Sequence, residues 1–214
     1  MNKEFVVQFR LRPLLLKMET ITLARQIYGS LVPWTTTYGH MGDMVDGKEC
    51  LVVYVMDRVQ GISQLDFEIA QTVSKNSPEF FIWRQNLVSD MHVPSSVLGN
   101  NVKYGLINRR LFARAWKLPL EVDDGTRETL RQRYETDLKL LLDAFPDRLH
   151  PIIRRCFDSL PAIMSLSTVL LHKDFGVCNV MVDEKSNHLN GIIDWAEAEV
   201  GPFGLNWQRD ATSR

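Results

Sequence analysis

The chain has 214 residues, 45% hydrophobic and 24% charged, with a formal net charge of -1. That length can bury a substantial core, as one large domain or two small lobes. The near-zero charge offers no electrostatic footprint for nucleic acid or an anionic membrane, and no apolar run approaches the roughly 20 residues of a membrane span.

In chain order, Phe5, Val7, Phe9 and Leu11 alternate with Val6, Gln8, Arg10 and Arg12, a period of two that predicts a strand. Pro13 suits the first turn of a helix running to about Tyr28, with Gly29 as its stop. Cys50 to Met56 is apolar throughout and predicts a buried second strand. Met56 to Gly61 reads as a break between an N-terminal lobe over residues 1–60 and a C-terminal lobe over residues 61–214. Beyond it the pattern turns helical. Ser63 is placed to cap a helix from Gln64 to about Ser74, and Ser77-Pro78 opens another through about Met91. Pro94 to Gly125 is turn-rich and carries no clear period. Leu130, Tyr134, Leu138, Leu141 and Phe145 then recur every three or four residues, which predicts an amphipathic helix. A shorter helix is expected near Ile152 to Leu160.

Cys50, Cys156 and Cys178 are widely spaced, with no Cys-x-x-Cys. Neither a disulfide framework nor a zinc site follows, and a reducing cytoplasm is the expected setting. Cys178 is expected as a small packed residue.

The densest chemistry lies near the C-terminus. His172-Lys173-Asp174 is followed by Asn179, then by Ile193-Asp194-Trp195. The apolar runs Val180 to Val182 and Leu189 to Ile193 predict a hairpin whose ends bring these groups together. A carboxylate at Asp174 can accept hydrogen from a substrate hydroxyl, and Asn179 and Asp194 offer hard oxygen ligands to magnesium. His172 is expected to bond backbone near the aspartates. Lys173 either faces a transferred phosphate or is solvated. Asp183 and Glu184 are expected as solvated turn residues. Glu197 and Glu199 either shape the substrate side or are exposed.

This order of residues matches the H-x-D-x-x-x-x-N element of protein-kinase-like phosphotransferases, with the later aspartate at their metal-binding position. Leu170 to Gly204 resembles the aminoglycoside phosphotransferase and choline kinase group, especially its fungal members of unassigned substrate. Lys173 stands where a protein kinase has Arg, Ile-Asp-Trp-Ala-Glu-Ala replaces Asp-Phe-Gly, and no Ala-Pro-Glu follows. A weaker resemblance covers Phe5 to Gly61. The resemblance implies an α+β, protein-kinase-like fold, with an incomplete small β-rich N-lobe and a larger, mainly helical C-lobe carrying the catalytic hairpin. It implies transfer of the γ-phosphate of ATP or GTP to a small-molecule hydroxyl. Asp174 would be the base in a catalytic loop with His172, and Asn179 and Asp194 would hold Mg2+. A strand cation paired with a helix glutamate is also expected. Arg10 fills that place in one register and Gln8 in the other, with Glu19 as the partner.

The resemblance further implies that the chain is the middle of a longer enzyme, truncated at the N-terminus and at the C-terminus. A non-catalytic kinase-like scaffold lacking the phosphate-binding loop is the alternative. A metal-dependent phosphoesterase built on Asp174 and Asp194 is a third reading, for which ligands are too few.

Overall fold

In the computed structural model, which describes residues 3–42, 50–70, 77–89 and 114–205, the alternating segment at the start forms strand β1, Phe5–Arg10. It pairs antiparallel with β3, Leu51–Asp57, which also pairs antiparallel with β2, Thr35–Met41, giving the sheet order β1-β3-β2. The central strand has neighbours on both edges, and its Val52, Val53 and Tyr54 are buried. On β1 the polar row turns inward. Gln8 and Arg10 are half-buried, whereas Phe5, Val7 and Phe9 are 49%, 49% and 50% exposed.

Helix α1 spans Met18–Tyr28 and begins later than Pro13 suggests. Pro13 sits instead in a 3-10 turn, Arg12–Leu14, followed by extended backbone at Leu15. The physical reason is Leu16, which the extended step carries into the core while Leu14 stays exposed. Gly29 ends α1 with φ 65, its N–H bonded to the Arg25 carbonyl, as a left-handed stop requires. The helix buries Ile21, Ala24, Ile27 and Tyr28 along one stripe.

Gly61 ends the loop after β3. Its φ is 98, and a Cβ there would lie 2.0 Å from the Val182 carbonyl oxygen, so only glycine fits without movement. The chain then enters a second antiparallel sheet of order β4-β6-β7, made of Ile62–Ser63, Val180–Val182 and Leu189–Ile192. Helix α2, Gln64–Ala70, starts where Ser63 Oγ accepts the Asp66 N–H at 3.0 Å. Helix α3, Pro78–Ser89, starts where Ser77 Oγ accepts the Phe80 N–H at 3.2 Å. The expected ends near Ser74 and Met91, and most of the turn-rich segment, lie outside the described residues; residues 114–117 are helical.

Helix α4, Asp124–Ala144, is capped by Asp123, whose Oδ1 accepts the Thr126 N–H, and it packs on α5, His150–Met164. Of its expected apolar stripe, Leu130, Tyr134 and Leu138 are half-buried, but Leu141 is 40% and Phe145 46% exposed. A third small sheet pairs β5, Thr168–Leu171, with β8, Glu199–Pro202.

The core runs without a break from α1 to the second and third sheets, through Tyr28, Leu170, Val180, Ile192 and Trp195. Each such side chain contributes about 1.5–3 kcal/mol on burial. Tyr28 ties the layers twice: its hydroxyl donates to the Leu170 carbonyl at 3.1 Å, and its ring meets Trp195 at 5.0 Å. Burial raises the Tyr28 pKa and keeps that donor protonated. The class is α+β, as the sequence implies. No helix among the described residues is long and apolar enough to cross a membrane.

Candidate active site

The third sheet delivers the chain into the His172-Lys173-Asp174 loop. His172, at the end of β5, is completely buried, with its ring in T-shaped contact with Trp195 at 4.5 Å and Phe175 at 5.8 Å. Its Nε2 lies 2.9 Å from the Ile193 carbonyl oxygen. That carbonyl can only accept, so Nε2 carries a proton. Burial lowers the His172 pKa, partly offset by the Ile193 bond and by the charges of Asp194 and Asp174. The ring therefore links the two aspartate-bearing loops instead of facing solvent.

Lys173 has φ 69, a left-handed backbone uncommon for a side chain of its size. Asp174 follows, exposed. Asn179 closes the loop: its Nδ2 donates to the Asp174 carbonyl at 2.7 Å and to the Asp174 Oδ2 at 3.1 Å. The Asn179 carbonyl in turn accepts the Ile193 N–H at 2.9 Å, which docks the end of β7 beside the loop. Asp194 comes next, with φ 60 and ψ 59, and its side chain is 48% exposed. The hairpin thus joins Asp174 and Asn179 by side chain, and Asn179 to the residue before Asp194 by backbone.

A small open cleft lies beneath β1, lined by Gln8, Arg10, Leu16, Ile21, Val32, Pro33, Thr35, Met56, Asp194 and Trp195. Gln8 and Arg10 both line it, so the two strand registers are not exclusive in space. Arg10 is held by Gln8 Oε1 at 3.2 Å and the Leu14 carbonyl at 3.2 Å, and its Nη2 lies 4.0 Å from Asp194 Oδ1. The expected pairing of Arg10 with Glu19 is absent. Glu19 is exposed, and it sits about 200° around α1 from Ile21, the helix residue that lines the cleft. The helix turns an isoleucine, not a carboxylate, toward Arg10.

Three surrounding residues differ from expectation. Lys173 is exposed, its side chain 40% open to solvent, but it is not free: its Nζ lies 2.8 Å from Glu199 Oε1. Glu199 also receives Arg133 of α4 on both oxygens, at 3.0 and 2.9 Å. Burial opposes the Glu199 charge, but hydrogen bonds from Lys173 and Arg133 outweigh it and hold its pKa below the ordinary carboxylate value. Asp183 is not merely solvated. It caps the hairpin turn by accepting from the Lys185 and Ser186 N–H groups and the Ser186 hydroxyl, bonds that lower its pKa. Cys178 is exposed rather than packed. Arg133 carried no sequence signal, because it reaches the loop from a distant helix.

As a donor set, Asn179 and Asp194 suit a hard divalent cation. The Asn179 amide nitrogen is engaged by Asp174, which leaves its oxygen as the ligand atom. Among the described residues no three His, Cys, Asp or Glu side chains cluster as a metal site. One or two protein oxygens are enough when a ligand's phosphates complete the shell, as is usual for magnesium.

A model of the phosphotransferase enzyme family matches residues 99–205, half of the chain. An ADP-bound aminoglycoside phosphotransferase, APH(2'')-Ib, is 15% identical with a TM-score of 0.47, over 92% of this chain and 61% of that one. The aminoglycoside phosphotransferase APH(3'')-Id from Streptomyces rimosus, solved with ADP and streptomycin, is 11% identical with a TM-score of 0.47, over 92% and 66%. The choline kinase LicA from Streptococcus pneumoniae is 15% identical with a TM-score of 0.32, over 94% and 59%. The chain thus spans less than two thirds of the length of each of these. No curated protein matches it.

Proposed function

The chain belongs to the phosphotransferase enzyme family, and on that premise we propose that it moves the γ-phosphate of ATP or GTP to the hydroxyl of a small molecule. The observation that carries this reading is the Asp174–Asn179 contact, beside an Asp194 fixed by the same hairpin. It supports a division of labour. Asp174 accepts the proton of the acceptor hydroxyl as its oxygen bonds to phosphorus and the bond from the γ-phosphorus to the bridging oxygen breaks, releasing the nucleoside diphosphate. Asn179 holds the Asp174 carboxylate in one orientation, so that it need not be found during the reaction. His172 fixes the distance between the two loops through Ile193. Arg10 brings positive charge to the cleft wall. Mg2+, held by Asn179 and Asp194 when it arrives with the nucleotide, would neutralise phosphate charge. In this reading residues 1–60 form the small lobe and residues 61–214 the large one, with Gly61 packed on the hairpin at the junction.

A second reading, a non-catalytic nucleotide-sensing or scaffold protein, is favoured by one observation. The cleft cation meets Asp194 while Glu19 faces away from it. Transfer assays separate the two. Incubation with magnesium and ATP or GTP over a panel of amino sugars, choline and simple polyols should yield a phosphorylated alcohol. Nucleotide binding with no phosphoryl transfer to any alcohol or to water would favour the scaffold.

A further inference from the structure

Lys173 combines two properties that need an explanation. Its backbone is left-handed, at φ 69, a conformation that persists at a non-glycine residue only where the surrounding structure imposes it. Its side chain reaches Glu199, at 2.8 Å. Glu199 is the residue opposite Leu171 in the β5–β8 pairing, so its backbone is anchored beside the strand that ends at His172. Its carboxylate, 19% exposed, receives the Arg133 guanidinium on both oxygens. A two-pronged arginine contact fixes the plane of a carboxylate as well as its position. Three elements, α4, β8 and the loop that carries Asp174, therefore converge on Glu199.

We infer that Glu199 is a positioning residue: backed by Arg133, it pins Lys173 in the left-handed conformation and so aims Asp174 at the acceptor, an inference that rests on the phosphotransfer reading above. Asn179 restrains Asp174 from its far side, and Glu199 restrains it from the near side through Lys173. A solvated ion-pair network with no such role would stabilise the fold a little and leave the reaction untouched.

The test is a double-mutant cycle with Glu199→Gln and Lys173→Gly, read on turnover of magnesium-ATP with water or an alcohol as acceptor. Glutamine keeps the shape of Glu199 and loses its charge. Glycine adopts the left-handed region at no cost and needs no clamp. Glu199→Gln is expected to lower kcat by about tenfold with KM for ATP changed less than twofold, since loss of orientation acts on the reacting geometry and not on nucleotide binding. In the Lys173→Gly background the same substitution is expected to change kcat less than twofold. An unchanged kcat, a rise in KM instead, or additive effects in the cycle would overturn the inference. Hydrogen exchange at the amides of residues 173–175 gives a second readout that needs no turnover. Faster exchange in Glu199→Gln supports the clamp, and unchanged exchange overturns it. A wild-type chain that never turns over ATP sinks the phosphotransfer reading alone, because the exchange experiment still decides whether Glu199 holds the loop.

Discussion

Arg10 on β1 and Asp194 after β7 face each other across the cleft, with Nη2 4.0 Å from Oδ1. The guanidinium does not depend on that contact for its place, since Gln8 and the Leu14 carbonyl each hold it at 3.2 Å. An ion pair at this distance to a carboxylate that is 48% exposed is worth about 0–1 kcal/mol. It is weak enough for phosphate oxygens to displace, while the other two contacts keep the cation pointed into the cleft.

Arg10→Met should therefore weaken ATP binding by about tenfold, the scale of one lost charge-assisted contact. Arg10→Lys keeps the charge but loses the contacts to Gln8 and Leu14, and should fall between the two, because ammonium and guanidinium are not interchangeable. Calorimetric titration with magnesium-ATP measures both. Equal affinity in the wild type and Arg10→Met would remove Arg10 from the nucleotide site.

Gly61→Ala should destabilise the protein by about 2 kcal/mol or more, as expected where a side chain is forced onto a left-handed backbone. The added Cβ also meets the Val182 carbonyl oxygen, 2.0 Å away, so β6 must shift and carry Asn179 with it. Thermal denaturation reads the loss. A melting temperature equal to that of the wild type would mean that the loop and the hairpin do not pack as described.

His172 makes stability depend on pH. Burial depresses its pKa below the ordinary value of 6.5, so between the two values the unfolded chain binds more protons than the folded one. The contribution of the neutral buried ring is intact above pH 6.5 and is lost as the pH falls below it, with a slope of up to about 1.4 kcal/mol per pH unit. Urea denaturation from pH 7.5 down to about 5 should show this slope, and His172→Gln should flatten it while lowering stability throughout. An identical pH dependence in both proteins would show that His172 titrates freely in the folded state.

Legibility in the sequence followed the strength of local pattern. The hairpin from Val180 to Ile192 was readable from its two apolar runs, helix α4 from a repeat of three or four, and the starts of α2 and α3 because Ser63 and Ser77 announce them. Strand β2 was not readable. Thr-Thr-Thr-Tyr-Gly-His-Met lacks apolar alternation, lies largely exposed at a sheet edge, and has a bulge between Thr37 and Gly39. Strands β5 and β8 have four residues each and owe their existence to pairing with one another. The late start of α1 was set by burial of Leu16, which no local signal near Pro13 records. In the site, His172, Asp174, Asn179 and Asp194 could be named because their order resembles a known family motif. The rotation of Glu19 away from the cleft and the Arg133–Glu199–Lys173 chain could not, because both depend on how separate elements dock.

Phosphoryl transfer in the wild type beside Asp174→Ala tests the central claim most directly. With magnesium and ATP or GTP over the alcohol panel, the wild type should transfer phosphate. Loss of the proton acceptor should cut kcat by about 10²–10⁴-fold. Nucleotide affinity by calorimetry should stay within about twofold, since no nucleotide contact is assigned to that carboxylate. Turnover that survives Asp174→Ala, or a wild type that binds nucleotide and transfers nothing, would contradict the account.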